Sequence, residues 1–171
     1  MKTEDKKLVF LALGSNISPR RQYISQSLDL LRERFPGQFR ISALYQTQPF
    51  KNLQQPAYIN CVVECVSFLG PLEVLDAIAE IEVLIGRKRS GVKWESRVID
   101  IDVLLWGEEV IQFPRLTVPH YDLCNRDFFL VPLLELNNTL VHPASGRFLV
   151  DILGSIPEDL KTHPEVVDAA G

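Results

Sequence analysis

A chain of 171 residues with 46% apolar residues, 9 glycines and 11 prolines fits one globular domain that buries roughly two-thirds of the surface its unfolded form exposes. Its net charge of -4 excludes bulk attraction to nucleic acid or to an anionic membrane, so a bound anion must be gripped by a local basic cluster. The three cysteines, Cys61, Cys65 and Cys124, are odd in number and lack metal-type spacing, which excludes a disulfide framework and a zinc site.

Lys2, Glu4, Asp5, Lys6 and Lys7 precede an apolar run, Leu8 to Leu13, that is too short and too acidic in its flank for a signal peptide. No stretch approaches a membrane span, so the expected location is the cytoplasm. The run itself reads as a central strand that ends in a turn at Gly14, Ser15 and Asn16. Ser18 as cap and Pro19 as first residue then open a helix, with Ile24, Leu28, Leu31 and Phe35 on its apolar stripe and Pro36-Gly37 as its stop. Phe39, Ile41, Ala43 and Tyr45 alternate with Arg40, Ser42 and Leu44 as a half-buried strand, and Thr47 to Pro56 follows as a polar loop. Tyr58 to Val66 forms another strand with Ile59, Cys61, Val63 and Cys65 on one face. Pro71 opens a second helix whose stripe is Val74, Ile78, Ile81 and Ile85, with Gly86 as its C-terminal cap.

Between Arg87 and Arg97, five of eleven residues are basic, and Gly91 and two serines loosen the backbone, so this segment is expected to be a mobile loop. Val98 to Trp106 is the strongest strand, followed by a turn at Gly107-Glu108 and a short returning strand, Val110 to Gln112. The order strand, helix, strand, strand, helix, strand places the fold in the α+β class. It predicts a ferredoxin-like βαββαβ core with a largely antiparallel sheet and both helices packed on it. Phe128 to Leu136 and Phe148 to Leu153 read as short C-terminal helices, and the tail after Ile156 reads as frayed. Residues 1–171 are expected to be one domain with its core at about 8–155.

The chemistry centres on the Asp-x-Asp pair. Alternation puts Val98, Asp100, Asp102, Leu104 and Trp106 on one strand face, with the carboxylates roughly 7 Å apart along the backbone. Such like charges between apolar neighbours repel unless a cation neutralises them, and carboxylate oxygens favour magnesium or calcium. An isolated Asp-x-Asp is more often a solvated strand face, by about two to one, and a basic loop alone is more often a solvated turn. Arg87, Arg89, Lys93 and Arg97 beside the pair change the balance: phosphoryl transfer needs metal-bridged phosphate oxygens and basic side chains together. Gly86 and Gly91 mimic the start of a P-loop, but Lys93 comes one residue late and Trp94 stands where a hydroxyl is required. Three readings fit these residues: a two-metal phosphoryl-transfer enzyme, a two-metal nucleotidyltransferase, or a ligand-binding module without catalysis.

The ordered motifs single out the first. Arg97-Val98-Ile99-Asp100-Ile101-Asp102-Val103-Leu104-Leu105, then Arg115-Leu116-Thr117-Val118-Pro119-His120-Tyr121-Asp122, then Asn125-Arg126-Asp127-Phe128, resemble the 6-hydroxymethyl-7,8-dihydropterin pyrophosphokinases of folate biosynthesis. Gly14-Ser15-Asn16, Tyr45-Gln46-Thr47, Tyr58-Ile59-Asn60, and Glu82 ahead of Gly86-Arg87 extend the resemblance over about residues 8–155. It implies transfer of pyrophosphate from ATP to the pterin hydroxymethyl oxygen, through attack on the β-phosphorus and release of AMP. Asp100 and Asp102 would hold two magnesium ions, and Arg87 and Arg97 would clamp the phosphates. Arg115, His120, Tyr121 and Arg126 would meet the triphosphate and ribose, while Glu82, Trp94, Val103, Leu116 and Thr117 line the nucleotide pocket. Tyr58 and Phe128 would sandwich the pterin, with Asn60 and Thr47 at its hydrogen-bonding edge. The sequence departs from the family pattern at Glu95, where a small residue is usual. The expected partners are these small molecules, the expected state a monomer.

Overall fold

In the computed structural model, which describes residues 6–49, 54–88 and 95–167, strand β1 (Lys7–Ser15) forms the spine of the molecule. It is antiparallel to β4 (Tyr58–Ser67) on one side and to β5 (Asp100–Trp106) on the other. Its alternation sends Val9, Leu11 and Leu13 to one face and Phe10 and Ala12 to the other, and all five are buried. A strand apolar on both sides must be covered twice.

Helices α1 (Arg20–Arg34) and α2 (Pro71–Ile85) cover the first face. Ile24, Leu31 and Phe35 from the first and Val74, Ile78 and Ile81 from the second pack there against Ile59, Cys61, Val63 and Cys65 of β4. Burial pushes both thiols up to about 12, so they behave as small hydrophobes. Ser18 is not the cap of α1. The chain enters the helix from Pro19, whose carbonyl accepts from the amides of Gln22 and Tyr23. At α2, Pro71 starts the helix, the Glu73 carboxylate accepts from the Gly70 amide at 2.7 Å, and Gly86 closes it at φ 105°. That left-handed value is where glycine carries no Cβ penalty.

The half-buried strand expected over residues 39–45 is divided into β2 (Phe39–Ile41) and β3 (Tyr45–Thr47), both paired to β4. Ser42 causes the break. Its hydroxyl replaces a ladder carbonyl, accepting from the Val62 amide at 2.9 Å, while its own amide donates to the Val62 carbonyl. With β2 and β3 counted as one interrupted strand, the chain runs βαββαβ and the sheet order is β5-β1-β4-β3, the order of a split βαβ unit. The strand after Gly107 does not return to β5. Instead β6 (Ile111–Phe113) pairs with β7 (Leu116–Val118) in a separate ribbon.

Helices α3 (Asp127–Leu136) and α4 (Leu149–Gly154) cover the second face, where Leu130, Leu133, Leu149 and Ile152 meet Phe10, Val62 and Leu105. The segment after Ile156, expected to fray, follows a defined path as far as Val167, the last described residue. It makes a 3-10 turn at Glu158–Leu160 and then β8 (Glu165–Val166), which pairs with β3 at the sheet edge. No helix among the described residues is long and apolar enough to cross a membrane.

This two-sided core makes a direct prediction. Leu31, with none of its surface exposed, faces the first core, whereas Leu84 on α2 is 71% exposed. Leu31→Ala is expected to lower the unfolding free energy by about 2–5 kcal/mol through lost burial and a residual cavity, and Leu84→Ala by less than about 0.5 kcal/mol. Urea titration of both variants checks the contrast.

Candidate active site

Strands β1, β3, β4 and β5 and helix α3 all contribute side chains to the site, which lies on the second sheet face. The β1–β5 register sets Gly14 opposite Asp100 and Ala12 opposite Asp102, and the β1–β4 register sets Gly14 opposite Asn60. Gly14 therefore separates the acidic pair from the Asn60 carboxamide. A Cβ there would lie 2.8 Å from Asn60 Oδ1, too close for any real contact, so the glycine is what leaves this floor open.

A cleft of about 380 Å³ stands over that floor. It brings together Thr47, Tyr58, Asn60, Arg97, Asp100, Asp102, His120, Tyr121, Arg126 and Phe128 from the expected set, with Gly14, Gln55, Glu95, Asp122 and Phe129 beside them. Arg87, Glu82, Val103, Arg115, Leu116 and Thr117 do not line it. Val103 and Leu116 are buried in the core on the helix α1/α2 side, Thr117 is exposed on β7, and Arg115 pairs at the surface with Asp76 of α2. Trp94, Arg89 and Lys93, and with them the centre of the expected mobile loop, lie outside the described residues, as does part of the polar loop after Thr47.

The face expected to hold Val98, Asp100, Asp102, Leu104 and Trp106 is correct only in its middle. The ladder begins at Asp100, and Val98 packs against the opposite core. A bulge opposite Phe10 and Leu11 inserts Leu104 and carries Trp106 to the helix α1/α2 side. The bulge also frees the Leu104 carbonyl to accept from the His120 amide at 3.0 Å, an example of a bulge re-aiming groups at a strand edge. His120 is thereby set with Nε2 3.7 Å from Asp102 Oδ1. Its Nδ1 accepts from the Asp122 amide at 3.1 Å, which leaves the proton of the neutral ring on Nε2, facing the carboxylate.

Asp100 is bracketed by two arginines. Arg87 Nη1 lies 2.7 Å from Oδ1 and Arg97 Nη1 2.5 Å from Oδ2. Burial, followed by the Asp102 charge, nevertheless holds the Asp100 carboxyl above its ordinary range, because the opposing pull of Arg97 and Arg87 is smaller. Burial works against the charge of Arg97 as well, yet Asp100 outweighs it and the guanidinium is held above its ordinary value. Arg87 also pairs with Glu82, a carboxylate buried at the end of α2 that accepts from the Ile101 amide at 2.8 Å. Burial raises Glu82 despite Arg87, and burial raises the Tyr58 phenol beside Arg97 and Asp100.

Asn16, buried at the end of β1, ties the margins of the cleft together. Its Oδ1 accepts from the Arg97 amide at 2.8 Å, and its Nδ2 donates to Ser96 Oγ at 3.2 Å and to the Gln55 side chain at 3.4 Å. Across the cleft, Asn60 Nδ2 donates to Thr47 Oγ1 at 2.6 Å. Arg126 Nε donates to Asp122 Oδ2 at 2.9 Å, and its guanidinium stands 5.8 Å from the centre of the Phe128 ring. Asp122 and Phe129 were missed as site residues. The four-residue spacing of Asp122 and Arg126 is the signal that could have flagged the first, whereas Phe129 looks in sequence like any core aromatic.

Asp100 and Asp102 are the residues suited to a divalent cation. No group of three Asp, Glu, His or Cys side chains among the described residues could form an all-protein cage. Two carboxylates without a third match magnesium, which commonly takes one or two carboxylates and completes its shell with substrate phosphates and water. Burial and the neighbouring Asp102 charge both disfavour an ionised Asp100, and a cation held between the two carboxylates would offset both.

An α+β sheet that brings an acidic pair and arginines into one cleft has the parts that metal-assisted phosphoryl transfer uses. The chain belongs to the 7,8-dihydro-6-hydroxymethylpterin-pyrophosphokinase (HPPK) family, whose model matches residues 10–138. It is 40% identical over 151 residues to the Pseudomonas aeruginosa 2-amino-4-hydroxy-6-hydroxymethyldihydropteridine pyrophosphokinase, covering 87% of this chain and 91% of that protein. It is 38% identical over 137 residues to the Haemophilus influenzae enzyme of the same name, covering 80% and 85%. A folate synthesis bifunctional protein of Arabidopsis thaliana is 34% identical over 131 residues, which is 77% of this chain and 27% of that one. Among solved structures, wild-type Plasmodium falciparum HPPK-DHPS shares the fold with a TM-score of 0.69 at 15% identity. The match covers 90% of this chain and 44% of that one, so this chain spans less than half of it. The matched family and the Pseudomonas aeruginosa and Haemophilus influenzae relatives are pyrophosphokinases.

The electrostatics give a pH-dependent prediction. Folded Asp100 keeps its proton to higher pH than the unfolded chain does. Its contribution to stability is therefore complete below the ordinary carboxylate range and is lost as pH rises through the raised value. Asp100→Asn cannot ionise and escapes that loss. Its urea midpoint is expected to equal or exceed the parent's near pH 7, with the difference shrinking toward pH 4; a large deficit near neutrality would mean that the arginine pairs dominate.

Proposed function

We propose that the chain transfers a pyrophosphoryl group from ATP to the hydroxymethyl oxygen of 6-hydroxymethyl-7,8-dihydropterin and releases AMP. The observation that carries this reading is the placement of Asp100, Asp102 and Arg97 in one cleft with Asn60, Thr47, Tyr58 and Phe128. Charged groups suited to a polyphosphate stand beside aromatic and amide groups suited to a flat, hydrogen-bonding ring.

Asp100 and Asp102 would hold two magnesium ions. Bound there, magnesium supplies charge neutralisation at phosphate oxygens and makes a coordinated hydroxyl easier to deprotonate. The hydroxymethyl oxygen attacks the β-phosphorus, the bond from that phosphorus to the α,β-bridging oxygen breaks, AMP departs, and the hydroxyl proton passes to solvent. Arg87 and Arg97, both paired with Asp100, would turn to the phosphates and stabilise their developing charge. Arg126, braced by Asp122, meets the triphosphate with His120 and Tyr121, which stack on each other with ring centres 4.5 Å apart. Tyr58 and Phe128 take the faces of the pterin, and the Asn60–Thr47 hydrogen bond presents a fixed polar edge to it. Glu82 acts through Arg87 rather than by lining the cleft. Arg115 and Thr117 would serve only a nucleotide that extends beyond the cleft toward β7, whereas Val103 and Leu116 stay in the core. We assign the protein to the cytoplasm as a monomer acting on small molecules.

Incubation with magnesium, ATP and the pterin alcohol is expected to give AMP in step with pterin consumption. Release of free pyrophosphate with a nucleotidylated product would overturn the reading in favour of attack at the α-phosphorus. Asp100→Ala and Asp102→Ala are each expected to lower kcat by at least about 10²–10³-fold, and a chelator to abolish turnover until magnesium is restored.

A further inference from the structure

The family model ends at residue 138, yet residues beyond it reach the margin of the cleft. After the 3-10 turn at Glu158–Leu160, the chain runs antiparallel along β3. The Gln48 amide donates to the Thr162 carbonyl at 3.4 Å and the Val167 amide to the Leu44 carbonyl at 2.8 Å, and Gln46 pairs with Glu165 and Tyr45 with Val166. Val167 then packs against the core on the helix α1/α2 side.

The fixed point of this segment is Asp127, the first residue of α3. Its Oδ1 accepts from the Thr162 hydroxyl at 2.6 Å, and its Oδ2 accepts from the amides of Thr162 at 2.8 Å and His163 at 3.0 Å. His163 adopts φ 49°, a left-handed turn that lets consecutive amides converge on one oxygen, as in an anion-binding nest. Asp127 and Thr162 are 2% and 3% exposed, so water does not easily replace a bond lost between them.

The neighbours on either side of this clamp line the cleft. Arg126 and Phe128 flank Asp127 in sequence, and Thr47 and Gln48 end the strand on which the tail is laid. At the far end of the same helix, Glu135 accepts from the Tyr45 hydroxyl at 2.6 Å and from the Ala43 amide at 3.0 Å. Helix α3 is therefore held to the β3 side at both ends, and only the Asp127 end does so through the C-terminal tail. We infer that Asp127 and Thr162 are positioning residues that use the tail as a strap to set the distance between Phe128 and the Asn60–Thr47 edge. Neither residue touches substrate. The inference rests on the reading that the pterin occupies this part of the cleft.

Thr162→Val removes the hydroxyl bond while keeping the side-chain volume, and Thr162→Ser restores the bond. Thr162→Val is expected to raise the Kd of the pterin alcohol about tenfold, leave the Kd of magnesium-ATP within about twofold, and speed amide exchange over residues 44–48. Thr162→Ser should match the unaltered protein in all three. Asp127→Asn, which keeps the shape and one acceptor oxygen, should show the same selective loss and serves if the valine variant does not fold. Unchanged pterin affinity in both Thr162→Val and Asp127→Asn, or equal weakening of pterin and nucleotide, would overturn the strap. Failure of the unaltered protein to bind the pterin alcohol at all would instead overturn the functional reading, and the strap's role with it.

Discussion

Asp100 and Asp102 project from one edge strand into one cleft, and the enclosure of Asp100 beside a second carboxylate is the constraint around which the site is built. The sheet could have resolved it by pointing one of them into water. Instead the register against β1 fixes both on the cleft side, and two arginines partly neutralise the more enclosed one. Burial and Asp102 still dominate at Asp100. A site in this condition is poised for cations, since an ion pair that leaves excess negative charge gains more from a divalent metal than a balanced pair would.

The rest of the structure supplies the rigidity such an arrangement needs. Three strands with buried side chains on both faces are covered by two helices on each side, so the carboxylates sit on a platform that cannot relax by tilting. Around this platform, polar side chains with several partners hold the margins. Asn16 joins the segment entering at Gln55 to the one ending at Arg97, Glu82 joins α2 to β5, and Asp127 joins α3 to the tail. Each is buried or nearly so, which makes each bond hard for solvent to replace.

Much of this was legible in the sequence. Period-two and helical patterns placed the main elements and the sheet order, because residues such as Leu11, Cys61 and Ile78 had to be buried wherever they fell. The order of short motifs brought the acidic pair, the Asn60 edge and the His120 segment to one family. What escaped was decided by individual backbone bonds. Ser42 broke a strand by standing in for a ladder carbonyl. The bulge at Leu104 turned Trp106 to the opposite core, which strict alternation cannot foresee. The tail looked loose because its polar residues carry no periodic pattern, yet one distant carboxylate, Asp127, ordered it. Asp122 went unnoticed because its role is to hold another side chain.

The most direct test of the central claim follows the two carboxyl groups themselves. With side-chain carboxyl carbons of aspartate labelled, magnesium is titrated into the protein with and without an α,β-methylene analogue of ATP that cannot transfer its terminal groups. Both the Asp100 and the Asp102 resonances, each assigned by its Asn variant, are expected to shift when metal and nucleotide are present together. Resonances that stay in place under both conditions would show that the pair does not hold the metal and would contradict the account.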